Sequence, residues 1–268
     1  MFEILSSLTL GRDLFMMLQK IHFFNELSGK CVGKFTHEAE IVKLGLSPGY
    51  RNQHECHAAI LDQANNLFLI SLGAFLSGSE KNSACDKLAG QVSGFSWSTE
   101  YEILTAISDK KLTTWFYPRA SFIDKDLLAL TRVTHATLEL GERSTIKSFD
   151  DSSIKIELED KSKIQTSVMQ GHLTLQDYAS RNKWQEALIL CQLIKSKDLW
   201  ATLASLSLYH NEMNLALNAL SALEAVDKVE YIKRIQKLPT EEVSPHSDSD
   251  AAITACLAVN YCIWVLCL

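Results

Sequence analysis

The chain predicts a fold of two parts, consecutive antiparallel sheets arranged as blades of a β-propeller and then an α-helical array of TPR-like, α-solenoid type. Three observations carry this. Strand-like segments recur at spacings of about 42–46 residues in the first part, a helical motif recurs at about 29 residues in the second, and apolar positions change from alternation to helical spacing between them. With 268 residues, 47% apolar and 22% charged, the composition is that of a globular protein with one large domain or two smaller ones.

The strand region begins with "IHFFNELSGKCVGKFTHEAEIVKLGLSP", which reads as a strand, a turn at Ser28 and Gly29, a second strand, then His37 and an alternating run. Val42, Leu44 and Leu46 share one face of that run. The stretch resembles a WD-repeat junction, with Phe24 and Asn25 standing where the Trp-Asp pair belongs. Equivalent positions follow at Ile70 in "LDQANNLFLISL", Trp115 in "SDKKLTTWFYP" and Glu157 in "FDDSSIKIELED", implying four WD40-like blades or parts of them. Polar turns are expected at 62–66, 109–111 and 150–153. Ile154, Ile156 and Leu158 alternate with Lys155, Glu157 and Glu159 as in a half-buried strand. Trp97 and Trp115 are expected in the core, and "LSGSEKNSACDKL", 76–88, as a mobile surface loop. Residues 1–169 therefore read as the C-terminal blades of a propeller, beginning partway through a blade.

The helical region, 170–239, contains an internal repeat. Aligning "NKWQEALILC" with "NEMNLALNAL" superposes Asn182 on Asn211, Ala187 on Ala216, Leu188 on Leu217 and Cys191 on Leu220. The two alanines permit close helix approach, while Trp184, Leu188 and Trp200 are expected to supply large buried surface at the joints. Residues 240–268 read as a polar linker followed by the apolar "AAITACLAVNYCIWVLCL". This last stretch has no charged residue and reaches the lower limit for a membrane span. It has three readings: a tail anchor, a helix packed on the array, or an alternative terminus in place of further helices. Ala251, Ala252, Ala255, Ala258 and Asn260 lower its hydrophobicity and no Lys/Arg flank follows, so the third reading is favoured and membrane contact is disfavoured.

A net charge of −6 and the lack of any Lys/Arg run argue against a nucleic-acid partner. Seven cysteines, an odd number with no Cys-x-x-Cys pair, fit reduced thiols, and the acidic start "MFEILSSLTLGRD" does not read as a secretory signal. A cytoplasmic location follows as an expectation. His54, Cys56 and His57 are all zinc-ligand types, but strand alternation sends His57 to the face opposite His54 and Cys56. His22, His37, His135, His172 and His210 are scattered, and neither a nucleophile elbow nor a Gly-rich phosphate loop is present. No catalytic, cofactor-binding or metal residue is assigned, and no cofactor is expected.

The order of WD-like blades, "WFYPRASFIDKDLL", "YASRNKWQEALILCQLIKSKDLWATLASLSL" and "VDKVEYIKRIQKLP" resembles the intraflagellar transport protein 80 family, WD-repeat subunits of the intraflagellar transport B complex. The resemblance runs over roughly 8–239 and is strongest from Phe95. It leaves out the family's first propeller, the opening of its second and its later helices. It implies a non-enzymatic scaffold or adaptor that supports cilium assembly through protein–protein contacts with other B-complex subunits. The implied locations are the cytoplasm and the cilium, with its basal body and axoneme. Blades without neighbours add an expectation of self-association. The alternative that stays open is a membrane-tethered adaptor of vesicle-coat type, anchored by 251–268.

Overall fold

The computed structural model describes residues 2–3, 19–25, 31–48, 57–71, 85–135, 140–141, 143–150 and 152–236. Four sheets come first, each formed by strands that neighbour one another in chain order. The first holds β1 (Phe2–Glu3), β2 (Lys20–Asn25) and β3 (Cys31–Thr36). The second holds β4 (Ile41–Leu46), β5 (His57–Asp62), β6 (Leu67–Ser71) and β7 (Cys85–Ala89). The third holds β8 (Val92–Trp97), β9 (Leu104–Ser108), β10 (Lys111–Trp115) and β11 (Arg132–His135). The fourth holds β12 (Thr145–Asp150), β13 (Ser153–Glu157) and β14 (Lys163–Ser167).

These sheets are successive blades. Their leading strands β4, β8 and β12 pack in sequence, β4 against β8 and β8 against β12. Each leading strand slips register near its start, between Ile41 and Lys43, Val92 and Gly94, and Ile146 and Ser148. A bulge at one fixed point adds local twist, which suits sheets that rotate from blade to blade. Between the second and third blades the approach is close. Trp97 Nε1 donates to the Gly45 carbonyl at 3.1 Å, and Lys43 Nζ donates to the Phe95 carbonyl at 2.6 Å. A Cβ on Gly45 would lie 2.9 Å from the Phe95 ring, so only glycine fits there. Ile21 and Phe35 of the first blade pack with Ile41, Ala58, Ile60 and Ile70 of the second in one apolar cluster.

The hairpins between second and third strands share one design, a residue with positive φ beside a short acidic side chain. Asn65 has φ 60°, Asp109 51°, Lys110 62° and Lys161 65°. Asp62 accepts from the Asn66 backbone at 2.7 Å and its side-chain amide at 3.1 Å, while Asp160 accepts from the backbone of Ser162 at 2.9 Å. The expected turns at 62–66 and 109–111 are these hairpins. The fourth-blade assignment needs correction by one strand. Glu157 ends β13, the second strand of its sheet, whereas Ile70 and Trp115 lie on third strands, so the equivalent strand is β14. The expected turn at 150–153 is also a hairpin, the one between the first and second strands of its sheet. The connection from β10 to β11 is longer than the repeat period allows, which displaced the count. Trp115 is wholly buried and Trp97 is 8% exposed, as expected. Of the stretch read as a loop at 76–88, residues 85–88 instead belong to β7 and pair with β6; the rest lies outside the described residues.

Two compact units divide the chain, and the boundary is crossed three times. Met1–Pro118 and Val133–Gln170 form one; Arg119–Arg132 and Gly171–Leu268 form the other. The Arg119–Arg132 segment, which falls between β10 and the end of the third blade in the chain, is therefore part of the helical unit; it opens within a 3₁₀ turn that begins at Pro118 (Pro118–Phe122) and holds a short helix α1 (Lys125–Leu130). Asp124 caps α1, its Oδ1 accepting from the backbone of Asp126 at 2.8 Å and Leu127 at 3.3 Å. Then come α2 (Gln170–Ser180), α3 (Trp184–Ile194), α4 (Lys197–Tyr209), α5 (Met213–Ala222) and α6 (Val226–Gln236).

The 29-residue repeat is real in three dimensions. Asn182 (φ 55°) and Asn211 (φ 60°) each follow a helix in the left-handed conformation. The next residue closes the turn, Lys183 N to Tyr178 O at 2.8 Å and Glu212 N to Ser207 O at 2.8 Å, and a new helix begins. Within those helices Ala187 matches Ala216 and Cys191 matches Leu220, all essentially fully buried. The tryptophan reading is corrected: Trp184, Leu188 and Trp200 are only half-buried. Close packing through alanine leaves bulky neighbours at the seam edge, where they are partly wet.

Candidate interaction surface

Helix α4 organises the helical unit, because α1, α3 and α5 all pack against it. Every residue from Ala201 to Leu208 is buried, including Thr202, Ser205 and Ser207. Those hydroxyls bond back to their own helix, Thr202 to the Asp198 carbonyl at 2.8 Å, Ser205 to Ala201 at 2.9 Å and Ser207 to Ala204 at 3.0 Å. A buried hydroxyl so satisfied avoids the cost of a lost hydrogen bond.

Two charged joints fasten elements around α4. Lys228 of α6 bonds to Asp124 and, at 2.9 Å, to Asp126. Burial alone would lower the Lys228 pKa, but these bonds and the two carboxylate charges outweigh it and leave it raised. Arg119 lies 4.7 Å over the Tyr209 ring, adding a cation–π contact from the same inserted segment. The second joint ties α2 to the start of α4. His172, 1% exposed, places Nε2 2.8 Å from Asp198 Oδ2, and Ser196 donates to the other carboxylate oxygen. Burial pushes His172 down to about 3, so its ring is neutral at pH 7. Burial also raises Asp198, opposed by the backbone N–H groups of Asp198 and Leu199.

Serine, aspartate and histidine are thus together, but in the order Ser196–Asp198–His172. A nucleophilic triad needs the imidazole against the hydroxyl, with the carboxylate behind it. Here the carboxylate stands between them, so the imidazole does not face the serine hydroxyl. The other histidines also serve joints. His37 Nε2 lies 3.6 Å from Asp62 within reach of the Phe35 and Phe68 rings, and His57 Nδ1 lies 3.4 Å from Glu102. Burial alone would raise Asp62, but its Asn66 and His37 partners hold it below the usual carboxylate range. His135 Nε2 is 3.5 Å from Thr114 Oγ1, and the His210 ring lies 5.3 Å from the Trp184 ring, tilted at 54° to it. His22 is half-buried on β2.

Of the possible zinc set, His57 begins β5 and is buried; His54 and Cys56 lie outside the described residues. Among the described residues, no three His, Cys, Asp or Glu side chains gather as a metal site. No described helix is long and apolar enough to cross a membrane, and 251–268 falls outside the described residues. The Trp-Asp position also falls there for side chains: Phe24 and Asn25 end β2, but their contacts are not among those described. The His37–Asp62 pair was missed in sequence because its members sit 25 positions apart, one just after β3 and the other at the end of β5.

One face stands out as unused by this packing. On α3, Ile189, Leu193 and Ile194 are 53%, 76% and 44% exposed. Ile189 and Leu193 lie on the ridge Gln185–Ile189–Leu193, opposite the Ala187 and Cys191 face, whereas Ile194 stands beside that face with its Cδ1 close to Gly171 of α2.

Blades that pack by their leading strands, followed in the chain by helical hairpins, define a protein of the WD-type propeller and helical-repeat class. Comparison with known families makes this specific. The profile described as "IFT80 second beta-propeller" matches residues 6–170, more than half the chain, and "IFT80/172/WDR35/WDR19 TPR domain" matches 199–249. The chain belongs to the IFT80 family. Proteins named intraflagellar transport protein 80 homolog from Mus musculus and Rattus norvegicus are each 31% identical to it over 229 residues. The match takes in 84% of this chain and spans 29% of the relatives' length. The family resemblance read from the motif order stands, and 251–268 lies beyond both profiles.

Proposed function

We propose that the chain is a non-enzymatic scaffold or adaptor subunit of intraflagellar transport, supporting cilium assembly by contacts with other B-complex subunits. It acts in the cytoplasm and at the cilium, including the basal body and axoneme. In this reading 1–169 supplies C-terminal propeller blades, 170–239 the helical array and 240–268 a linker and apolar tail. The observation that carries it is the use made of the titratable groups. His37, His57, His172 and Lys228 each pair with a carboxylate across elements, and these pairs hold a frame in family-matched propeller and helical domains.

Affinity purification of the tagged chain from ciliated cells tests this. Recovery of transport-complex subunits, together with ciliary staining, supports it. A chain that recovers none of them and stays off the cilium sinks it.

A further inference from the structure

The α3 face has charge at its ends as well as apolar residues at its centre. Among the exposed residues from Arg181 to Lys197 there are four cations, Arg181, Lys183, Lys195 and Lys197, and one anion, Glu186. The cations flank the ends of the helix that carries Ile189 and Leu193. An apolar occupant with an acidic flank matches this arrangement.

The chain carries such a segment. Residues 237–250, "KLPTEEVSPHSDSD", hold four acids (Glu241, Glu242, Asp248, Asp250) and one lysine, and 251–268 is uncharged throughout. Reach is sufficient. Fourteen residues (237–250) extend up to about 46–50 Å, while four helices packed at about 8–10 Å spacing are roughly 30 Å across. We propose that 251–268 docks in cis on the exposed Ile189–Leu193 ridge of α3, with the acids of 240–250 against the cations that flank it. The attachment is intramolecular, so its effective concentration is that of a short tether and does not depend on dilution. Occupation of α3 by this segment closes that face to other chains.

The test uses the full chain at low concentration. A photo-crosslinking residue, p-benzoylphenylalanine, at position 193 is expected to yield a monomer-mass product whose linked peptides come from 251–268. In parallel, chymotryptic cleavage after Tyr261 and Trp264 is expected to speed up by about tenfold or more in Ile189→Glu/Leu193→Glu. Both positions are exposed, so helix content by circular dichroism should not change. Raising salt should also speed cleavage, since the charged flank is screened. Crosslinks found only in a doubled-mass product would assign the face to a second copy. Crosslinks to other parts of the chain, no crosslink, or unchanged cleavage in the variant would each overturn the proposal. Protection seen only after adding phosphatidylcholine vesicles would overturn it in favour of a lipid surface.

Discussion

Trp115 in the sheet unit is wholly buried at the end of β10, whereas Trp200 is only half-buried although it sits on α4, the most enclosed helix of the other unit. The difference follows from how each architecture repeats. In a blade the side-chain period of 2 sends a residue to one face, and the neighbouring sheet then covers that face whatever its size. In the helical unit small residues, Ala187, Ala201, Ala204, Ala216 and Ala219, are interleaved with leucines along the buried faces and draw backbones together. A large ring cannot enter such a seam. It lies along the edge, as Trp184 does against His210.

The sharpest way to break this comparison is to truncate both rings. Trp115→Ala should cost about 3–5 kcal/mol, the range for emptying a fully buried aromatic site. Trp200→Ala should cost no more than about half of that, because part of the indole is already in water. Urea midpoints of the full chain and the two variants measure the gap. Equal shifts would mean that enclosure of the helix, rather than of the ring, sets the cost.

Next in size is the joint between α1 and α6. Lys228→Met leaves Asp124, whose side chain is 4% exposed or less, without its cation, and should destabilise by about 2–3 kcal/mol. Asp126→Asn removes the exposed partner, at 72%, and should cost under about 0.5 kcal/mol. A Lys228→Met variant as stable as the parent would show that the inserted segment is not fastened by charge.

These two sites also show what could be read from sequence. Asn182 and Asn211 announced the helical repeat because left-handed helix ends select a few residue types at a fixed place. Strand alternation announced the blades for the same kind of reason. The six-residue α1 had no such signal: it is too short for a helical period, and only Asp124 marks its start. Its insertion then spoiled the blade count. Ile154 and Ile156 alternate on β13 as Ile164 and Thr166 do on β14, so periodicity alone could not say which strand continued the series. Paired groups such as Lys228 with Asp124 lie about a hundred positions apart, and no local pattern joins them. The exposed ridge on α3 was hidden for the opposite reason, since an apolar helix reads as buried until its neighbours are known.

A smaller effect concerns pH. The unfolded imidazole of His172 takes a proton below about 6.5, while burial holds the folded one down to about 3. Between these values the unfolded state binds more protons, so this group's contribution to stability falls as pH is lowered. From pH 6.5 to 5 the loss should approach about 1–2 kcal/mol. The raised Asp198 pKa acts with the opposite sign and the lowered His135 pKa with the same sign, so the His172 share is read from the difference between parent and variant. In His172→Gln the slope of stability against pH over that window should flatten relative to the parent. An unchanged slope would place the pH dependence on other groups.

The smallest predicted change is a gain, and it tests the helix ends that define the repeat. Asn182, Asn211 and Glu224 all hold positive φ after a helix, 55°, 60° and 61°. Glu224 is followed by the same closing bond, Ala225 N to Leu220 O at 3.0 Å. Asparagine tolerates this conformation through its short polar side chain, whereas glutamate meets the full Cβ penalty. Glu224→Gly should therefore stabilise the chain by about 0.5–1 kcal/mol, net of the extra freedom glycine gives the unfolded state. Asn182→Gly, at the better-suited position, should change stability by only a few tenths of a kcal/mol. Thermal or urea unfolding of the two variants decides the matter. A loss on Glu224→Gly would mean that its exposed side chain holds the third helical repeat in place by a contact the first two turns do not need.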